Sequence, residues 1–238
     1  MAAGDVDVKV TTNNGQKCSS YAGSSRLGLA AAITAGTIKS YSFWVLYMSR
    51  GAGNTRQILR GSRDIIYISS SNNWATSMTG SNVAIAAATN YGVWTNVIVI
   101  QNPTTVDYYV GGTYIGQVST TNTSTFQFLG NTGGLGHIGF LKNVRFYSDI
   151  LTSTEISRIA SGQEVTRTLI YSWDVTENAN ASVGGVNFTT NNSVSFGNFD
   201  NAISNAVRTQ RTTTGATGKF LMCGGFKGQV YHAAITEA

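Results

Sequence analysis

Charged side chains and proline are both scarce in this 238-residue chain. Lys, Arg, Asp and Glu together make up 11% of the residues, and proline occurs once. This composition excludes a coiled coil or a helical bundle, which need abundant Glu, Lys, Leu and Arg. It also argues against a nucleic-acid partner, because the formal net charge of +5 comes from few groups rather than from a dense basic cluster.

Long apolar runs and a leader-like start are absent as well. No apolar stretch approaches the roughly 20 residues of a membrane-spanning helix, so we predict no membrane insertion. The first seven residues contain neither a basic segment nor an apolar one. We therefore expect no secretory signal at this end of the chain.

Cysteine and histidine occur only twice each. His137 and His232 are too few to complete a convincing metal site with the cysteines. Cys18 and Cys223 lie near opposite ends of the chain, and they could form a disulfide if the terminal strands pair. A closed loop of that length would stabilise the protein by roughly 4–5 kcal/mol. Two separate buried thiols account for the cysteines at least as well.

The chain is instead rich in patterns that predict β-strands. Short runs of Val, Ile, Tyr and Phe recur along it and are separated by Gly, Asn, Ser and Thr, which is typical of an all-β protein. Gly111 and Gly112 join two such runs and predict a two-residue hairpin turn. Because 42% of the residues are apolar, the chain can bury a core, and we predict a single domain over residues 1–238.

One segment predicts a short helix near residues 152–161. Thr152 and Glu155 have the spacing of a capping box, and Gly162 provides a stop signal. Weaker patterns over residues 27–33 and 202–207 each predict a helical turn.

Residues 38–162 contain a series of short motifs in a characteristic order. They are an aromatic strand (Tyr41–Trp44), a Trp-Thr strand (Trp94–Val99), a Tyr-Val-Gly-Gly hairpin (Tyr109–Gly112), an Asn-Val-Arg-Phe-Tyr strand (Asn143–Tyr147) and a Leu-Thr helix start (Leu151–Ile156). In this order they resemble the laminin-G-like domains of the concanavalin A-like lectin/glucanase superfamily. The resemblance implies an antiparallel jelly-roll β-sandwich, which residues 166–238 would complete or extend.

The chain departs from the family pattern where calcium would be placed. Many relatives have acidic residues just before the Val-Arg-Phe-Tyr strand, whereas this chain has Phe140, Leu141 and Lys142. We therefore predict no cofactor, since calcium, although known in the family, gains no support from these residues.

Catalytic machinery is not evident from the sequence. Glycosidases of this superfamily need two nearby carboxylates, and the acids that alternate along a predicted strand are Asp5 and Asp7, where solvent-facing charge is the simpler interpretation. A Gly-x-Ser-x-Gly motif is absent, and His137 lies in a glycine-rich turn that is typical of a structural histidine. We predict that the protein is not an enzyme.

Aromatic rings beside amide side chains on loops are the pattern expected of a sugar-binding site. Trp74 with Asn72 and Asn73, and Tyr91, meet this description, and Asn54 and Arg56 lie on another predicted loop. We predict these as ligand-binding residues, with burial of Trp74 under a loop as the alternative. The other three tryptophans sit in apolar strands and are predicted to lie in the core: Trp44, Trp94 and Trp173.

A local excess of arginine precedes and overlaps this region, at Arg50, Arg56, Arg60 and Arg63. Solvent-facing arginines on a hairpin are the simplest interpretation. A shallow patch for anions or acidic glycans is the alternative.

Composition and resemblance point to different functions. The scarcity of charge favours a structural or attachment protein on the surface of an assembly, such as a virion decoration or capsid-associated subunit. Its partners would be copies of itself, other coat subunits and surface glycans. The alternative, based on the resemblance, is a carbohydrate-binding lectin-like module of a secreted or cell-surface protein, with an extracellular location. A glycoside hydrolase is a third interpretation. We predict the first, and therefore a location on the virion surface.

Overall fold

The structure is a computed structural model that describes residues 17–21, 25–47, 55–88, 93–130 and 139–198. Within these ranges it contains fifteen strands and one helix. In chain order they are β1 (Lys17–Tyr21), β2 (Arg26–Ile33), β3 (Ser40–Tyr47), β4 (Arg56–Arg60), β5 (Asp64–Ile68), β6 (Asn73–Thr76), β7 (Val83–Ala87), β8 (Thr95–Gln101), β9 (Thr105–Val110), β10 (Thr113–Ser119), β11 (Phe126–Gly130), β12 (Gly139–Tyr147), α1 (Ser153–Ala160), β13 (Leu169–Trp173), β14 (Phe188–Asn192) and β15 (Ser195–Asn198).

The strands form two antiparallel sheets that pack as a sandwich. Sheet 1 has the order β10-β9-β8-β3-β12-β1-β15, and β13 pairs in addition with β12. Sheet 2 has the order β14-β2-β11-β4-β5-β6-β7. The predicted all-β jelly-roll sandwich is therefore confirmed.

Strand β12 has different partners along its two halves. Its first half pairs with β1, where Leu141 lies opposite Ser19, and its second half pairs with β13, where Val144 lies opposite Trp173. Between the halves the register against β3 shifts, and Asn143 has a left-handed φ of 52°. The shift is a β-bulge, which places two residues of β12 against one of β3.

The core between the sheets is dominated by aromatic rings. Phe146 lies at its centre, with ring centroids 4.9 Å from Tyr41, 4.5 Å from Phe126 and 5.2 Å from Trp173. The rings meet edge to face, which is the arrangement that their quadrupoles favour. Trp173 is fully buried, as predicted.

Helix α1 packs on the outer face of sheet 1. Ile156 and Ile159 contact Ile98 and Ile100 of β8 in a second apolar cluster. The predicted helix is confirmed, and its capping box is formed: the Thr152 hydroxyl accepts the Glu155 N–H at 3.3 Å, and the Glu155 carboxylate accepts the Thr152 N–H at 2.8 Å.

Because of the Glu155 carboxylate, we expect the free energy of unfolding to decrease at acidic pH. A hydrogen bond from Arg167 at 2.6 Å, assisted by Thr152, lowers the pKa of Glu155 to about 2. Because the pKa is lower in the folded state, this stabilisation is complete above pH about 4.5 and is lost as the pH falls through 2.

Glu155→Gln should cost about 1 kcal/mol at neutral pH, as capping changes do. Urea unfolding at pH 7 and pH 3 should show a smaller pH effect in this variant than in the wild type, and an unchanged pH effect would contradict the assignment.

The turn and strand predictions have mixed outcomes. Gly111 and Gly112 form the predicted turn between β9 and β10, with φ values of 59° and 79°. The helical turn predicted over residues 27–33 is wrong, because this segment is strand β2 and pairs with β11 and β14 on its two sides. Two hydrogen-bonded neighbours override a weak local helical pattern.

Some predictions fall outside the described ranges. Cys18 lies in β1, but Cys223 is outside the described residues, so the structure does not test the disulfide. His137, His232, Asp5, Asp7 and the helical turn predicted over residues 202–207 also lie outside them. Within the described ranges, no helix has the length and apolarity needed to span a membrane.

Candidate functional site

The structure places Trp74 in the core rather than at the surface. The residue lies in β6, is 1% exposed, and packs edge-on against Tyr47 with ring centroids 6.0 Å apart. The prediction that it lies on a loop is therefore wrong. A ring buried to this extent presents no face to a ligand, which agrees with the alternative of burial.

Two of the other predicted ligand-binding residues bind each other. Arg56 is 2% exposed in β4, and its Nη1 donates a hydrogen bond to Oδ1 of Asn72 at 3.0 Å. Asn72 has a left-handed φ of 57° in the turn before β6, and Asn73 begins that strand in a half-buried position. Asn54 and Tyr91 lie outside the described residues.

The arginine-rich segment does not form a row of solvent-facing arginines. Arg56 is buried, and Arg60 lies 3.5 Å from the carboxylate of Asp64. Burial raises the pKa of Asp64 above its usual range, although the charge of Arg60 opposes that rise. Arg50 lies outside the described residues.

A groove with different residues opens on the outer face of sheet 1. It has a volume of about 390 Å³ and is lined by Trp44, Val93, Trp94, Thr95, Asn96, Gly111 and Ala160. We call it the tryptophan groove. The prediction that Trp44 and Trp94 belong to the core is wrong, since both are half-buried and line this groove.

Strand register explains why these side chains meet. Trp44 of β3 lies opposite Asn96 of β8 on one side and opposite Lys142 of β12 on the other. Residues directly opposite one another in a sheet project from the same face. Because Phe43 and Val45 point into the core, Trp44 and its two neighbours point outward.

Lys142 lies against both tryptophan rings. Its Nζ is 4.4 Å from the ring centroid of Trp94 and 5.7 Å from that of Trp44. A cation at these distances over indole faces is attracted by the ring quadrupoles. The contact places a positive charge beside two of the rings that line the groove.

Asn96 lines the groove, but its side chain is buried. The residue is 1% exposed, and its Nδ2 donates to the backbone oxygen of Phe43 at 3.2 Å. Its Oδ1 is buried as well and accepts no hydrogen bond from any described residue, so it presents no acceptor at the surface of the groove.

A second depression lies beside the groove, between α1 and strands β8 and β9. It has a volume of about 220 Å³ and is lined by Ile100, Asn102, Asp107, Tyr109, Gly112, Ile150, Leu151, Ser153, Ile156 and Ser157. We call it the Asp107 cleft. The Asp107 carboxylate accepts hydrogen bonds from Asn102 at 2.7 Å and from Gln117 at 2.6 Å, so its orientation is fixed by two amides.

Away from the groove and the cleft, the carboxylates of Glu155 and Asp149 both bind Arg167. Arg167 binds Glu155 at 2.6 Å and Asp149 at 3.0 Å. Hydrogen bonds from the Ile150 backbone and from Arg167 lower the pKa of Asp149, as those from Arg167 and Thr152 lower the pKa of Glu155. Both groups are therefore ionised at neutral pH and have no proton to give as a general acid.

The residues at the family's calcium position do not fit a metal ion. Phe140 and Leu141 are buried apolar side chains, and Lys142 brings a cation. Calcium requires several oxygen ligands. Elsewhere in the described ranges, no three His, Cys, Asp or Glu side chains come together in a way that would hold a metal.

The two antiparallel sheets define a jelly-roll domain of the concanavalin A-like type. The chain belongs to the concanavalin A-like lectin/glucanase superfamily, whose family model matches residues 19–157. The resemblance inferred from the short motifs is thereby confirmed. No curated protein matches the sequence.

Solved structures with the same fold are distant in sequence. A protein from Bacteroides ovatus, provisionally described as carbohydrate binding, aligns with a TM-score of 0.61 and 13% identity over 76% of this chain. This chain spans 59% of that protein's length. A heptameric SAP-like pentraxin from Limulus polyphemus aligns with a TM-score of 0.53 and 13% identity, covering 79% of this chain and 97% of the pentraxin. At such identities the similarity shows the fold.

Proposed function

We propose that this domain is a carbohydrate-binding module that holds sugar in the tryptophan groove. The observation that carries the proposal is the pair of half-buried indoles, Trp44 and Trp94, that line the groove. A sugar ring has an apolar C–H face and a rim of hydroxyls. The indoles match the apolar face.

The dimensions and polarity of the groove support this chemistry. Its volume of about 390 Å³ is in the range of small-molecule sites, which combine apolar walls with a few polar groups. The Lys142 ammonium, which lies against both indole rings, can donate hydrogen bonds to a ring or hydroxyl oxygen.

Family membership and the groove favour the lectin-like module over the virion-surface subunit. The scarcity of charge that suggested a coat protein is also compatible with a sandwich that presents polar, uncharged loops. Association with coat subunits or with copies of itself stays a prediction. An extracellular location accompanies the lectin-like proposal.

We also propose that the module binds without hydrolysing. Glycoside hydrolysis requires one carboxyl group that stays protonated and a second carboxylate nearby. Asp149 and Glu155 share Arg167 and have lowered pKa values, while Asp64, whose pKa is raised, is paired with Arg60. These arrangements suit ion pairs better than an acid and nucleophile.

A glycan array followed by tryptophan fluorescence tests the proposal. The protein should bind one or more neutral oligosaccharides, and binding should persist in EDTA because ammonium and indole groups supply the contacts. Bound ligand should protect tryptophan emission from acrylamide, since two of the four tryptophans line the groove. If no glycan on the array bound, the carbohydrate-binding proposal would be wrong. If a glycan bound without protecting tryptophan emission, the tryptophan groove would not be the binding site. Loss of binding in EDTA would overturn the metal-free mode.

A further inference from the structure

The tryptophan groove and the Asp107 cleft are adjacent on the same face of sheet 1. Gly111 lines the groove, and the next residue, Gly112, lines the cleft. On the helix side, Ala160 lines the groove, while Ile156 and Ser157 line the cleft. The two sets of helix residues are separated by about one turn, or about 5.4 Å. This separation is comparable with the length of one sugar ring.

We propose that the groove and the cleft are two subsites of one site, which takes an extended neutral oligosaccharide lying across the Gly111–Gly112 turn. The inference rests on the proposed carbohydrate-binding function and specifies its ligand.

The Asp107 cleft has the chemistry to bind sugar hydroxyls. A carboxylate has about four acceptor positions, and Asn102 and Gln117 each occupy one on Asp107. The remaining positions can accept hydroxyl protons. Tyr109 adds an aromatic ring, and its edge-to-face contact with Tyr114, 5.5 Å between centroids, orients that ring.

The charge of the cleft restricts the ligand to a neutral chain. Asp107 would face any carboxylate or sulfate carried by a sugar in the cleft, and like charges brought together cost several kcal/mol. A uniformly acidic polysaccharide is therefore disfavoured at this subsite. A chain that carries hydroxyls alone can donate to Asp107 without a conflict of charge.

The Gly111–Gly112 turn between the two subsites has no side chains that would block a ligand lying across it. A side chain at Gly112 would meet Cβ of Ala160 at 2.8 Å, so the turn lies close against the end of α1. A Cβ at Gly111 would meet no atom within 4 Å, so that position faces open space. Two glycines at this point leave the backbone of the turn as a low ridge over which a ligand can pass.

The variant Gly111→Asn tests the inference directly. Asparagine tolerates the left-handed φ of 59° at this position, and its side chain would raise the ridge. The matched control is Gly36→Asn, because Gly36 also has a left-handed φ, of 82°, and open space around its added Cβ. The ligands are a series of two to six sugar units of the glycan that binds most strongly to the array, titrated by tryptophan fluorescence.

In the wild type, affinity should rise with chain length, because the second subsite is engaged intramolecularly. Gly111→Asn should weaken binding of the six-unit ligand at least about tenfold more than it weakens binding of the two-unit ligand, because only the longer ligand has to cross the turn, and Gly36→Asn should change neither. Equal loss for both lengths, or no loss for the longer one, would overturn the two-subsite inference while leaving the groove as a sugar site. If the wild type bound none of the ligands, whatever their length, both proposals would be overturned.

A second variant covers the case in which Gly111→Asn does not fold. Asp107→Asn removes the charge of the cleft without touching the turn. It should reduce the gain in affinity between two and six units. A full length-dependent gain in this variant would exclude the cleft as a subsite.

Discussion

Trp94→Ala is expected to weaken oligosaccharide binding by about 30-fold or more. Truncation of a tryptophan at a binding hot spot typically costs about 2 kcal/mol or more, which corresponds to roughly that loss of affinity. Trp94 lines the groove and holds the Lys142 ammonium 4.4 Å from its ring centroid. The substitution therefore removes a stacking surface and releases the lysine at the same time. Isothermal titration calorimetry with the strongest array ligand measures the effect.

Trp74→Phe is the matched control for this experiment. Trp74 is 1% exposed and packs on Tyr47 in the core, so its replacement by a smaller aromatic ring should change stability and leave affinity within about twofold. A variant of Trp94 that binds as tightly as the wild type would remove the groove from consideration. A large loss of affinity in the Trp74 variant, with the fold intact, would restore the surface role first predicted for it.

Phe146→Ala is expected to destabilise the fold by about 3–5 kcal/mol, the usual range for removing a buried phenylalanine ring. Phe146 is fully buried, and three aromatic rings from β3, β11 and β13 meet it within 5.2 Å. The cavity would open where both sheets converge, and a rigid sandwich cannot collapse around it. Urea unfolding followed by circular dichroism gives the difference in free energy.

Tyr114→Ala provides the comparison for an aromatic ring at the surface. Tyr114 is 52% exposed on the edge strand β10 and contacts Tyr109. Its loss should cost about 1 kcal/mol or less. If Phe146→Ala cost no more than Tyr114→Ala, the aromatic cluster would not be the centre of the core.

Features set by neighbouring residues were predictable from the sequence. The capping box at Thr152 and Glu155 and the turn at Gly111 and Gly112 depend on contacts within a few residues, and both form as predicted. The family motifs predicted the sandwich because they occur in order along the chain. The helical prediction for residues 27–33 was wrong because pairing with β11 and β14, which are distant in sequence, imposes a strand conformation.

The candidate site depends on which face of the sheet each strand presents. Loop-like flanking residues suggested an exposed Trp74, yet pairing of β6 with both β5 and β7 buries it. Apolar neighbours suggested a buried Trp44, yet it alternates with Phe43 and Val45, which point inward. That period of two was available in the sequence and would have indicated an outward Trp44. The position of Lys142 beside it required the register of β12, which the sequence alone does not contain.

The bulge at Asn143 reverses the inside-outside alternation of strand β12. Ahead of it, Lys142 faces outward with Trp44, and after it Val144 and Phe146 face inward, although an even number of positions separates them from Lys142. One extra residue thus lets a single strand supply both the surface that we propose binds sugar and the centre of the interior. A substitution at Lys142 can therefore change that surface without disturbing the packing of Val144 and Phe146.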